Sequence, residues 1–114
     1  MLGRWVREKG AIPMERAIWM LSARPAEVFG ITDRGRLMPG LAGDVTIFDP
    51  DKVGASKLRR VYDLPASQDR LVADAEGIDA VIVNGTVIRR ENQDQVTAEG
   101  SLPGKLLRHG RASA

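Results

Sequence analysis

His109, in the stretch Arg108-His109-Gly110-Arg111, is the only histidine of this 114-residue chain, and the chain has no cysteine. A metal site needs several His, Cys, Asp or Glu side chains converging on one point. A general base must be held within hydrogen-bond reach of the proton it takes. A single histidine close to the C-terminus meets neither need and reads as a solvated tail residue; a Ser-His-Asp triad would have to use the same residue. The lack of cysteine excludes disulfides, thiolate zinc sites and a cysteine nucleophile. Asp33, Asp44, Asp49 and Asp51 could pair for acid–base work. All four sit at turn boundaries, where Asp side chains bond to nearby backbone instead. Gly35, Gly40 and Gly43 match neither the dinucleotide fingerprint nor a P-loop, so they read as turn glycines. Asn84-Gly85-Thr86 fits the glycosylation sequon, but a tight turn accounts for it without glycosylation. No residue is assigned as catalytic, cofactor-binding or metal-binding.

The elements around these residues divide the chain into an α+β arrangement. Residues 1–30 form a helical segment. Leu2, Trp5 and Val6 recur at helical spacing, and Lys9-Gly10 makes a basic last turn with a glycine stop. Pro13 stands at a helix start; behind it Met14, Ala17, Ile18 and Leu21 share one face. Pro25 ends this helix and opens a short second one, closed by Gly30. Met14, Trp19 and Met20 are expected in the core rather than at a ligand. Residues 31–104 are β-rich. Val45 and Ile47 alternate with Thr46 and Phe48 in a strand pattern. Residues 51–77, with Pro65 and many charges, read as a long surface loop. The clearest local signal is Asn84-Gly85 between Ala80–Val83 and Thr86–Arg90, a two-residue hairpin with a type I′ turn. Glu91–Glu99 is polar, and 105–114 is expected to be a flexible tail.

Composition narrows the class. Hydrophobic residues are 43% and charged residues 28%, which suits a globular domain, and with two Trp, two Phe and one Tyr the core must rest on aliphatic side chains. The pI near 9.4 comes from 17 basic and 15 acidic residues that are interspersed, a net charge of only +2. Nucleic-acid binding needs a basic stripe rather than a small excess, so no nucleic-acid partner is expected. No apolar run approaches the ~20 residues that cross a bilayer. The opening MLGRWVREKG lacks the apolar core of a signal peptide, so a cytoplasmic protein without a membrane partner is expected.

Several stretches together resemble the C-terminal end of the amidohydrolase superfamily. They are Ala23-Arg24-Pro25-Ala26-Glu27-Val28-Phe29-Gly30, then Asp33-Arg34-Gly35-Arg36-Leu37, then the run from Pro39-Gly40 through Asp44-Val45-Thr46-Ile47-Phe48-Asp49. Gly77-Ile78 and Val81-Ile82-Val83-Asn84-Gly85 complete the pattern. LGRWVRE, IPMERAI, DLPASQDRL and PGKLLR point more narrowly to the N-acyl-D-amino-acid deacylases (D-aminoacylase-like). The resemblance implies a (β/α)₈ barrel beside a β-sandwich built from both chain ends, with amide hydrolysis by a zinc-activated water. The HxH pair, further histidines and catalytic Asp of that family would all precede Met1, so none is carried onto a position here. The chain then corresponds to the last barrel-associated helices and the C-terminal strands. It is expected to be inactive alone, to hold no cofactor, and to need the barrel portion or self-association to cover its apolar faces. Gly43 replaces the family's usual Ala and should relax a turn. Glu91–Gln95 replaces a glycine turn and should leave an irregular edge. Asp44 is expected to tie a strand start to neighbouring backbone. The alternative is an independent β-rich protein-interaction module; the coding sequence upstream of Met1 separates the two.

Overall fold

The structure, a computed structural model, describes residues 1–107 and 110. Met1 leads into a π-helical turn, Leu2–Glu8. Here Lys9 N–H reaches back five residues to the Arg4 carbonyl at 3.0 Å, the wide repeat of a π-turn rather than the four-residue step of an α-helix. The expected helix is therefore wider than its apolar spacing implied. The cause is visible in the contacts. Arg7 Nη1 donates to the Val53 carbonyl at 2.8 Å, and a Cβ on Gly3 would stand 2.8 Å from that same oxygen. The turn opens to seat against the Asp49–Val53 loop.

Helix α1 spans Met14–Leu21 and α2 spans Ala23–Val28. Pro13 stands just before α1 with extended backbone, as the N-cap. Ser22 breaks the two helices with φ −127° and ψ −71°, and its hydroxyl donates to the Ile18 carbonyl at 2.7 Å. Small residues make the joint: Ala17, Ala23 and Ala26 are buried, and a Cβ on Gly35 would lie 2.6 Å from the Ala26 Cβ. The loop after α2 thus lies directly on that helix. Trp19 stays near the surface with the Arg16 guanidinium 4.1 Å over its ring.

Among the described residues eight strands follow: β1 Val45–Phe48, β2 Gly54–Ala55, β3 Arg59–Val61, β4 Arg70–Val72, β5 Ala75–Glu76, β6 Ile78–Val83, β7 Thr86–Arg90 and β8 Gln93–Asp94. Strands β1, β6, β7 and β8 form one antiparallel sheet in the order β1-β6-β7-β8. The segment 51–77, expected as a loop, instead carries two small antiparallel ladders, β2–β5 and β3–β4. Sequence pattern missed them because their strands run only two or three residues and carry charge in place of apolar alternation. Charge pairing supports the β3–β4 ribbon: Arg70 meets Asp63 at 2.6 Å and Arg59 meets Asp74 at 3.3 Å, and Arg60 pairs with Asp69.

The hairpin at Asn84-Gly85 forms as expected, with Val83 opposite Thr86 and φ of +47° and +79° at its two turn residues. A second tight turn follows at Glu91-Asn92, φ +49° and +62°, pairing Arg90 with Gln93. It folds without the glycine that signals such turns. Of the tail, Gly110 bridges to Ile31 in parallel and accepts from Thr32 N–H at 2.6 Å.

This α+β arrangement has little core. Val53 and Ala80 join the three helical alanines as the buried apolar residues, and no large side chain is completely buried among the described residues. The radius of gyration is 16.3 Å, against about 13 Å for a compact domain of this length. The accessible surface is 8569 Å², against about 6,100 Å² for a self-contained monomer of this mass. No helix among the described residues is long and apolar enough to cross a membrane.

Candidate functional site

The most densely bonded polar group lies where the loop after α2 meets the start of β1 and the β6–β7 turn. Gly35 packs on α2, which fixes the preceding Arg34 over the loop. Its guanidinium meets Asp33 through Nε at 3.2 Å and Nη2 at 3.4 Å, and Asp44 through Nη1 at 2.7 Å. The Arg34 side chain is 11% exposed and that of Asp44 29%. Bonding to the Asp33 carboxylate, followed by the field of Asp44, outweighs partial desolvation and holds the guanidinium pKa above its ordinary value. Arg34 is a fixed cation.

Asp44 uses its other oxygen, Oδ1, to accept the Asn84 backbone N–H at 2.8 Å. It ties the start of β1 to the hairpin turn, as its position at the strand start implied. Gly43 contributes the adjacent bond, its carbonyl accepting the Gly85 N–H at 2.9 Å. A Cβ on Gly43 would sit 3.1 Å from Gly85 N. Gly43 therefore permits a close approach of two backbones, and the expected relaxation of its own turn is not its role. Asn84 then reaches outward, with Nδ2 donating to the Pro103 carbonyl at 2.6 Å. Four segments, 33–34, 43–44, 84–85 and 103, are thus fastened together.

This clamp has no reagent in it. Both carboxylates are engaged with the guanidinium. Asp49 and Asp51 stay apart from it: Asp49 closes its own turn, with Oδ1 accepting the Asp51 N–H at 2.9 Å and Oδ2 3.0 Å from Lys52. The Lys52 ammonium, then the Asp51 N–H, hold the Asp49 carboxyl below its ordinary range. Among the described residues, no group of three or more His, Cys, Asp or Glu side chains is placed to hold a metal ion; His109 lies outside the described residues. The donor set of the described residues does not fit a catalytic zinc, and no reaction step is drawn through one.

Beside the clamp, an open groove of about 1060 Å³ runs between the helices and the sheet. Met14, Ile18, Phe29, Val45, Phe48 and Ile78 line it, with Arg34 and Asp44 at its rim. It is a largely apolar trough, with Glu15 and Arg36 as its other charged lining residues, and has the shape of a packing surface.

Residues 1–89 match the Amidohydrolase family. The chain belongs to the amidohydrolase family. Among curated relatives, the N-acyl-D-glutamate deacylase of Alcaligenes xylosoxydans xylosoxydans is 37% identical over 100% of this chain and 20% of its own length. The D-aminoacylase of the same organism is 32% identical over 80% of this chain and 17% of its own length. Its N-acyl-D-aspartate deacylase is 30% identical over 98% of this chain and 20% of its own length. The chain spans about a fifth of the length of these relatives. No solved structure matches it significantly. Within this amidohydrolase chain, Arg34 and Pro103 are the clamp members that residue patterns did not single out. The only signal for Arg34 was its place in Asp33-Arg34-Gly35.

Proposed function

We propose that this chain is the C-terminal part of a metal-dependent, D-aminoacylase-like amidohydrolase and that its role there is structural. Amide C–N hydrolysis, by a zinc-activated water, belongs to the barrel portion of the whole enzyme. The helices and sheet here brace that barrel, and the Arg34–Asp44–Asn84 clamp keeps the two in register with each other. One observation carries the reading: apolar side chains stand uncovered on both layers. Trp5 is 52% exposed and Val28 62%, and Leu21 and Ile47 are exposed with them. Exposed apolar surface on this scale marks an interface. Similarity to deacylases over about a fifth of their length supports the same assignment.

The test is complementation. The Alcaligenes N-acyl-D-glutamate deacylase, shortened by the fifth that matches this chain, is co-expressed with the chain. Co-purification and zinc-dependent release of D-glutamate from N-acetyl-D-glutamate are expected, with neither stoichiometric metal nor turnover in the chain alone. Turnover by the isolated chain, or a compact monomer that ignores the shortened enzyme, would overturn the proposal. The second outcome would favour an independent β-rich interaction module.

A further inference from the structure

We propose that Asn84-Gly85 is a slow, spontaneous deamidation site whose rate is set by the clamp and whose product releases the C-terminal segment from its tie at Pro103, leaving the bonds of Gly110 to Gly30 and Thr32 in place. The chemistry needs only this dipeptide and water. The Gly85 backbone nitrogen attacks Asn84 Cγ, a Cγ–N bond forms, and the Cγ–Nδ2 bond breaks. Ammonia leaves with the proton that Gly85 nitrogen gave up. Water then opens the resulting five-membered imide at either carbonyl, leaving aspartate or isoaspartate at position 84. Gly85 has no side chain to hinder the attack, and a Cβ built there would meet nothing within 4 Å.

The folded hairpin opposes each step. Gly85 N–H is committed to the Gly43 carbonyl at 2.9 Å, so the nucleophilic nitrogen keeps its proton while that bond is closed. The Asn84 amide is held by Pro103 O at 2.6 Å, and the Asn84 backbone by Asp44 Oδ1 at 2.8 Å. Closure of the imide therefore waits for these three bonds to open together. Once it occurs, the donor Nδ2 is gone. The new carboxylate faces the Pro103 carbonyl oxygen, where Nδ2 had donated. Two acceptors in hydrogen-bond proximity repel, and the tie to Pro103 is lost.

The full chain is aged at mildly alkaline pH, beside an unstructured peptide of residues 81–88, and position 84 is followed by peptide mass mapping and isoaspartate detection. The chain is expected to convert at least tenfold more slowly than the peptide. Asp44→Ala, which removes the acceptor of the Asn84 N–H, is expected to speed conversion roughly tenfold or more, with Asp44→Asn in between. Asn84→Asp should speed tryptic cleavage after Lys105. Amide exchange in β3 and β4 serves as the control that the rest of the chain stays folded. Conversion at the peptide's rate in the unaltered chain overturns the gating. So does an unchanged rate in Asp44→Ala with β3–β4 intact. Unchanged Lys105 cleavage in Asn84→Asp overturns the release.

Discussion

Replacing Arg34 by methionine removes the guanidinium that bridges Asp33 and Asp44 while keeping an unbranched side chain over the loop. Three N–H···O contacts go, of which the 2.7 Å bond to Asp44 is the short one; those to Asp33, at 3.2 and 3.4 Å, are long. Removing one partner of a fully buried pair costs ~3–5 kcal/mol because the other charge is left uncompensated. Here Asp44 is 29% and Asp33 20% exposed, so water recovers part of that loss, and Asp44 keeps its bond to the Asn84 N–H. A cost of about 2 kcal/mol follows, which in the local-opening limit is a ~30-fold rise in amide exchange at Asn84 and Gly85. Nuclear magnetic resonance amide exchange reads both sites directly, with the β3–β4 amides as an internal reference. A double-mutant cycle with Asp44→Asn should be less than additive, because each single change removes the same contact. Exchange at Asn84 that rises less than ~3-fold, or strict additivity, would show that the clamp does not hold the turn.

The remaining expectations are independent of one another. Gly77→Ala places a Cβ 2.5 Å from Val53 N at a φ of +65°, so it should cost about 2 kcal/mol or more, read as lost order in β2 and β5. Gly85→Val should destabilise the β6–β7 hairpin by roughly 1 kcal/mol or more, since a β-branched residue resists positive φ; hydrogen exchange across Val81–Arg89 measures it. Acid should loosen the β3–β4 ribbon. Arg70 hydrogen bonds hold the Asp63 carboxyl below its ordinary value of 3.8; a depressed folded pKa adds stability that is complete above that value and lost as pH falls through the folded pKa. Chemical shifts of Asp63 and Arg70 should stay flat at neutral pH and move only below about pH 4. At rising concentration the isolated chain should self-associate through its uncovered apolar faces; a monomer by scattering at every concentration would contradict this.

Local features could be read from residue types alone because local sterics and bonding decide them. Asn84-Gly85 accepts positive φ at both positions, so the hairpin follows wherever apolar strands flank it. Pro13 and Gly30 flank the two helices through fixed φ and helix-stop preferences, whereas the break expected at Pro25 falls at Ser22 and Pro25 lies within the first turn of α2; the ordered stretches from Ala23 to Gly85 carried the family. Where Asp44 stands, at a strand start, its use as a backbone acceptor was legible too. What the sequence could not specify is which distant groups meet. Arg34 and Asn84 are fifty positions apart in the chain's numbering, and only the docking of the loop on α2 and of β1 on β6 brings both to Asp44. Gly43 reads as a turn glycine and Gly3 falls inside a helical pattern, yet each serves a backbone approach from another segment, to Gly85 and Val53. The π-turn at Leu2–Glu8 and the short ladders in 51–77 likewise depend on partners rather than on their own periodicity. Propensity and turn chemistry act within a few residues. Close approach, shared carboxylates and the lack of a self-sufficient core are properties of the assembled surfaces, which tertiary packing alone decides.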